Sequence, residues 1–221
     1  MPEFLQADIA RQHPGAGQVE SGNAEATSRD VKRFLYMMPL DKRADIVSSA
    51  ASTFEADGFR GSSVDKVLAP SGASTRTLYK HFGSKDGLVL AVLEERHRRF
   101  AERLEAASEG ADTIAALFDT LRHWLEQHGA RGCMLLRARA EYAEANEEIV
   151  ALVRRQKDEF RRMVADRVRR ALGRDDDRLA TQIWLLFEGA TAAASVADLT
   201  MVDEAAAAAA MLINVVKGSA R

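Results

Sequence analysis

The chain has 221 residues, a formal net charge of −2, 47% hydrophobic residues and a single cysteine, Cys133. That length suffices for one large or two small domains with a buried core. The near-neutral charge excludes a globally basic nucleic-acid coat, and the lone cysteine excludes an internal disulfide. No apolar run is long enough to span a membrane and no signal segment opens the chain, so a cytoplasmic protein with no membrane partner is expected. Little proline and abundant Ala, Leu, Arg and Glu favour helices.

Residues 1–40 differ from the rest. The segment from Gln12 to Asp30 is polar, rich in small residues and without apolar period, so a flexible tail is expected. Lys32 and Arg33 offer the alternative of an arm that adds phosphate or minor-groove contacts. Met37 and Met38 also provide a second place for translation to start.

A first helix is expected over residues 41–56, with Ile46, Val47, Ala50, Ala51 and Phe54 on one face. Gly58 suits the position just past its end, with Phe59 folding back. Ser62 or Ser63 then caps a second helix carrying Val64, Val67 and Leu68. Gly72 supplies a positive φ, Ser74 caps a third helix, and Leu78 and Phe82 give that helix a buried stripe. The outward positions of the third helix are Thr75, Arg76, Thr77, Lys80 and His81, with Tyr79 beside them. These donors, cations and an aromatic suit a helix lying in a DNA major groove, the pattern of a helix-turn-helix.

The run Gly72-Ala73-Ser74, then Thr77-Leu78-Tyr79-Lys80-His81-Phe82 and Ser84-Lys85, with Leu88 after it, resembles the tetracycline-repressor (TetR) family of bacterial regulators. The likeness is strong from about Asp41 to Leu93 and continues as helical architecture. It implies an all-α fold with two parts: a three-helix helix-turn-helix DNA-binding domain over residues 41–84, and a helical effector-binding and dimerisation domain over residues 85–221. Two positions depart from the family pattern. Leu68 stands where a small residue usually lets the helices approach, and Pro70 biases Ala69 away from the α region. Together they imply that the second helix ends early and the turn opens slightly.

Roles in the DNA-binding part follow from chemistry and from the resemblance. Arg76 suits a bidentate contact to guanine, and Thr75 and Thr77 suit base edges, thymine methyls or phosphates. Tyr79 matches the family's phosphate-binding tyrosine, and Lys80 and Lys85 are expected on the DNA backbone. Ser63 caps its helix and leaves amides open to a phosphate. His81 is either a DNA contact or a structural histidine near Phe59.

Beyond Lys85, helices are expected over residues 85–107, 112–128, 134–142, 146–172, 177–198 and 202–217. The last two carry small residues around Gly189 and from Ala205 to Ala210, with Trp184, Leu186, Phe187, Met211, Ile213 and Val215 among them. The resemblance assigns these two helices to a four-helix bundle in a homodimer, which reads a (pseudo)palindromic operator in double-stranded DNA. It further implies a small-molecule effector that releases the DNA, so that the protein acts as a repressor. Candidate pocket residues are Phe118, Leu121, Trp124, Leu136, Tyr142, Phe160, Trp184 and Phe187, with His123 and Glu141 as polar anchors. Ordinary core packing is the alternative for each.

Other chemistry is weak in the sequence. Cys133 follows Arg131-Gly132 and offers either helix packing or a redox-sensing thiol. His123, His128 and Cys133 are five apart and do not share a helical face, so no metal site is expected, and no cofactor motif appears. The cations from Arg154 to Arg170 alternate with acids and read as a solvated face. A non-enzymatic regulator is the expectation. The alternative is a helical small-molecule-binding protein whose DNA recognition is impaired at Leu68 and Pro70.

Overall fold

The computed structural model describes residues 41–107 and 113–219, and these residues form nine α-helices and one 3-10 turn, with no strand among them. The expectations for the tail, the arm and a start at Met37 or Met38 lie outside the described residues, as does the helix boundary expected across residues 108–112.

The first three helices are set by local chemistry. Helix α1 (Lys42–Asp57) begins where the Asp41 carboxylate accepts from the Arg43 amide at 3.0 Å. It stops at Gly58, whose φ of 81° disfavours any residue with a Cβ. Phe59 then folds back until its ring centroid lies 5.1 Å from that of Phe54, and both rings are fully buried. Helix α2 (Val64–Leu68) is capped by Ser63, which accepts from the Lys66 amide at 3.2 Å. Ser62 is not the cap; it is buried and donates to the Gly58 carbonyl at 2.7 Å.

Helix α2 ends at Leu68, which is buried, as expected from Pro70. The expected displacement of Ala69 does not occur. Ala69 stays right-handed helical at φ −50°, ψ −45°, and the chain continues as a 3-10 turn over Ala69–Ser71. The proline sits in the first positions of that turn, where its missing N–H removes no needed bond. Gly72 follows at φ 60°, and Lys42 Nζ donates to the Ser71 carbonyl at 2.7 Å, tying the turn back to the start of α1. Helix α3 (Thr75–Phe82) opens on the Ser74 cap, whose hydroxyl accepts from the Thr77 amide at 3.2 Å.

Six longer or shorter helices follow: α4 (Lys85–Ala107), α5 (Ala115–His128), α6 (Met134–Tyr142), α7 (Glu147–Leu172), α8 (Asp177–Ala193) and α9 (Thr200–Gly218). Asn146 caps α7 by accepting from the Glu148 and Ile149 amides, and Gly173 at φ 72° ends it. Helix α8 stops short of the expected residue 198. Its last carbonyls are diverted into local bonds, including Ser195 Oγ to the Ala192 carbonyl at 2.6 Å. Asp198 then accepts from the Thr200 amide at 2.8 Å and starts α9 two residues before the expected Val202.

Two buried clusters run through this unit. The first joins Ile46, Phe54, Phe59, Val67 and Leu78 to Leu88–Leu93 of α4, Met134, Ala138 and Tyr142 of α6, and Ile149 to Val153 of α7. The second gathers α5, the far half of α7, α8 and α9 around Leu104. Helices α4 and α7 therefore each contribute to both clusters. One end packs under the helix-turn-helix and the other packs among α5, α8 and α9.

The expected solvated face of α7 is only partly solvated. Arg167 is fully buried and donates to the Leu104 and Met163 carbonyls at 3.3 and 3.0 Å and to Glu105 at 3.0 Å. Lys157 is also inward, bonded to both oxygens of Glu188 at 2.7 Å. Val153, Lys157, Phe160, Val164 and Arg167 recur at three- and four-residue steps, so these cations share the core register of the helix.

Candidate functional site

Helix α3 is held from below by Leu78, with Phe82 partly buried beside it, and leaves its other face open. Leu78 is fully buried, while Thr75, Arg76, Tyr79, Lys80 and His81 are exposed. Tyr79 keeps 55% of its surface, a large exposure for an aromatic. Among the described residues no hydrogen bond or ion pair ties down the Arg76 or Lys80 side chain, so a guanidinium and an ammonium stand free on one short helix. Thr77 is more committed, because its hydroxyl shares a 2.9 Å hydrogen bond with Ser74. His81 points to solvent with its ring 6.1 Å from Phe82, and the structural place near Phe59 is filled by Phe54 and Tyr142 instead. Ser63 is exposed and acts as a cap.

Lys85 does something the sequence did not suggest. Its ammonium donates to the Ser62 carbonyl and, at 3.4 Å, to the Arg60 carbonyl. Burial pulls its pKa below the usual lysine value, against the neighbouring Asp86 and Glu141 charges. In this structure Lys85 is thus a clamp on the loop between α1 and α2.

Glu141 completes that clamp. Its carboxylate accepts the Phe59 and Arg60 amides at 2.8 and 2.7 Å, and Arg137 donates to the Phe54 and Glu55 carbonyls at 3.3 and 2.9 Å. Tyr142 and Asn146 reach Asp86 at 3.2 and 2.8 Å. Burial first, and then Asp86, raises the Tyr142 phenol above its usual range. Glu141 and Tyr142 therefore sit at the joint between α6 and the helix-turn-helix.

A cavity of about 110 Å³ opens between α4, α5, α6, α7 and α8. Of the candidate pocket residues, Leu121, Trp124, Phe160 and Phe187 line it. Phe118 is buried in the core, with its ring 6.3 Å from Phe187, and does not line the cavity. His123 is exposed and bonded through Nδ1 to the Asp119 carbonyl at 2.7 Å. Leu136 is 49% exposed on the outer side of α6. Trp184 lies on the outer side of the α7–α8 pair, with the Arg161 guanidinium 5.0 Å from its ring. A period of about 3.6 marks which residues are apolar, but it does not say which of two inward-facing apolar residues meets a gap.

The polar wall of the cavity was missed. It includes Arg96, His97, Cys133, Gln156, Lys157, Glu188 and Thr191. His97 Nε2 lies 3.1 Å from Glu159. Burial works to lower the Lys157 pKa, but the neighbouring Cys133 sulfur and Glu188 carboxylate outweigh it and hold the ammonium above its usual range. The signal in the sequence was the pair Gln156-Lys157 at core-register positions between Val153 and Phe160. Polar side chains on an otherwise apolar stripe mark either a buried network or a site.

Comparisons with known proteins agree with this architecture. Residues 46–92 match the family described as "Bacterial regulatory proteins, tetR family". The chain is 30% identical over 86 residues to the HTH-type transcriptional regulator LmrA of Bacillus subtilis, covering 37% of this chain and 46% of that protein. It is 23% identical over 129 residues to the HTH-type transcriptional regulator UidR of Escherichia coli, covering 58% of this chain and 65% of that one. The matches thus span about half to just under two thirds of these curated relatives. Among solved structures, a TetR transcriptional regulator from Chloroflexus aurantiacus aligns with TM-score 0.68 and 28% identity, over 79% of this chain and 94% of that chain. A TetR-family regulator from Streptomyces coelicolor aligns with TM-score 0.73 and 24% identity, over 80% and 96%. Residues 46–92 thus form a DNA-binding domain of the tetracycline-repressor (TetR) family, and the chain as a whole resembles TetR-family transcriptional regulators.

Proposed function

We propose that this protein is a repressor that binds a (pseudo)palindromic operator as a homodimer and is released when a small molecule occupies the cavity behind Trp124. The observation that carries the DNA-binding part is the surface of α3. Thr75, Arg76, Tyr79 and Lys80 are exposed on a helix fixed by the buried Leu78. Free cations on a rigid helix neutralise phosphates, and release of counterions then drives binding. The buried Leu68 and the helical Ala69 favour this over impaired DNA recognition, because the turn before α3 is formed and tied to α1.

The homodimer reading is supported by the outer face of α8 and α9. Leu185, Met211 and Val215 are 56%, 63% and 65% exposed, and exposed Ala192 and Ala210 lie among them. Small residues let helices approach and the large ones fill the gap between, as in a four-helix bundle. Leu185→Glu is expected to give a monomer in analytical ultracentrifugation. A variant that still sediments as a dimer would place the interface elsewhere.

The experiment for the whole reading is binding of the purified protein to the DNA upstream of its own gene, against random DNA, at two salt concentrations. A preference of about a thousandfold or more, falling steeply with salt, is expected. Equal binding to both DNAs there and across a genome-wide operator search would overturn it.

A further inference from the structure

Arg96 belongs to two places at once. Its side chain lines the cavity, with the guanidinium carbon 4.9 Å from the Trp124 ring centroid. Its Nη1 is paired with Glu55 in the last turn of α1. Arg96 and Trp124 also line a second, narrower cleft between α1 and α4, where Glu55 sits. The two side chains are therefore the partition between the cavity and the helix-turn-helix. The pair is sheltered, with side-chain exposures of 19% and 14%, so bulk salt screens it little.

The rest of the cavity describes what it would hold. Lys157 and Glu188 neutralise each other across 2.7 Å, whereas the counter-ion of Arg96 lies beyond the wall, on the DNA-binding domain. Gln156 is 3% exposed; its Nε2 donates to the Leu93 carbonyl at 3.4 Å, but its Oε1 is buried without a hydrogen-bond partner. A buried acceptor in that state favours a donor brought by a ligand. The apolar part is a cage of rings: Phe100 lies 5.4 Å from Trp124 and 6.0 Å from Phe160, and Phe160 lies 4.6 Å from Phe187. The cavity volume, about 110 Å³, is close to that of one small ring.

We propose that the cavity takes a one-ring aromatic carboxylate bearing an O–H or N–H donor, and that its carboxylate competes with Glu55 for Arg96. This rests on the reading of the cavity as the effector site. The ring stacks within Phe100, Trp124, Phe160 and Phe187, and the donor meets Gln156 Oε1. Once Arg96 turns to the ligand, the last turn of α1 loses its polar tie to α4 and keeps those from Arg137 on α6 and Lys66 on α2. The bound ligand and the Arg96–Glu55 pair are then mutually exclusive. That exclusion is a differential affinity for two states, which is what a ligand needs to shift an equilibrium.

The test uses the full chain, with 4-hydroxybenzoate as the probe and 4-hydroxybenzyl alcohol as its uncharged match, read by isothermal calorimetry. The acid is expected to bind at least about tenfold more tightly than the alcohol. Glu55→Gln removes the competitor, and the acid is expected to bind this variant at least about fivefold more tightly than the wild type. Arg96→Gln is expected to abolish the difference between acid and alcohol. Equal affinity for acid and alcohol in the wild type, failure of the acid to bind, or an unchanged acid affinity in Glu55→Gln would each overturn the proposal. The effector-site reading is judged separately, by screening ligands of any charge for release of DNA and repeating the release with Thr191→Leu, which narrows the cavity. Release by an uncharged ligand that Thr191→Leu blocks would keep the effector site and overturn the carboxylate.

Discussion

The helix-turn-helix and the domain behind it are built by different rules. In residues 41–82 almost every boundary is a local event: Asp41, Ser63 and Ser74 accept amides at helix starts, and Gly58 and Gly72 turn the chain at positive φ. From α4 onward the decisive contacts join residues far apart in sequence, such as Arg96 with Glu55, Arg167 with the Leu104 carbonyl, and Lys157 with Glu188. Local rules place side chains on a surface, where a DNA reader needs them. Long-range packing places them around a gap, where a ligand site needs them. The same physics therefore makes the first part readable from short windows of sequence and the second part readable only from the fold.

The strongest way to break this comparison is at Leu78. It is the only fully buried side chain of α3, and five exposed neighbours depend on it for their orientation. Leu78→Ala is expected to cost about 2–5 kcal/mol, the range for a buried leucine truncated to alanine. Urea unfolding measures this directly. Leu136→Ala, at a site 49% exposed, is expected to stay within about 0.5 kcal/mol. If the two variants lose similar stability, the helix is held by something other than its one buried residue.

Glu141 comes next, because it joins the two regions. Its carboxylate accepts two backbone amides, Phe59 and Arg60, from 82 and 81 residues away. Glu141→Gln keeps the shape but loses the charge-assisted bonds, and is expected to cost about 1–3 kcal/mol. Hydrogen exchange at the Phe59 and Arg60 amides is expected to quicken, and operator affinity to fall with it. Unchanged exchange at those two amides would mean that the α1–α2 loop does not depend on α6.

Arg76 sharpens the comparison on the DNA side. Its head group is free among the described residues, on a helix whose orientation is already fixed. Arg76→Ala is expected to remove about 1–3 kcal/mol of discrimination between operator and random DNA. Stability should be nearly unaltered, since an exposed side chain leaves no cavity. Equal loss of affinity for both DNAs in a competition assay would assign Arg76 to the phosphates instead.

How much was legible follows from the same division. Helix α7 ends at Leu172, where Gly173 marks it, and α6 spans the expected Met134–Tyr142. The orientation of α3 was legible because Leu78 and Phe82 are four apart and polar residues fill the rest of the turn. Ala69 was misjudged because the rule for a residue before proline is a bias, and continuity with α2 overrides it. The contacts of Lys85 and Glu141 with the α1–α2 loop were not legible, because each meets that loop from another helix. Arg96 had no sequence signal at all. Its partners are Glu55, 41 residues back, and Trp124, 28 residues on, so only the packing of α4 between α1 and α5 brings the three together.

The smallest expected effect concerns His128, at the end of α5. Its ring centroid lies 4.2 Å from that of Trp124, and its Nε2 is buried without a hydrogen-bond partner. Burial first, then the charges of Arg96, Arg103 and Arg99, lowers its pKa from the usual 6.5 to about 4. The folded protein therefore holds this imidazole neutral, while the unfolded chain takes up a proton below about pH 6.5. Where the unfolded state binds more protons, stability rises with pH. The contribution of His128 is thus whole above about pH 6.5 and is lost progressively as the pH falls toward about 4. The ring is only partly buried, so solvent screening keeps the loss below what the separation of the two pKa values alone would give. His128→Phe keeps the contact with Trp124 and removes the titration. Urea midpoints at about pH 7 and pH 5 are expected to fall less in this variant than in the wild type, with carboxylate titration common to both. Parallel falls would mean that the wild-type ring protonates without cost, and that the cluster of arginines around Trp124 does not reach it.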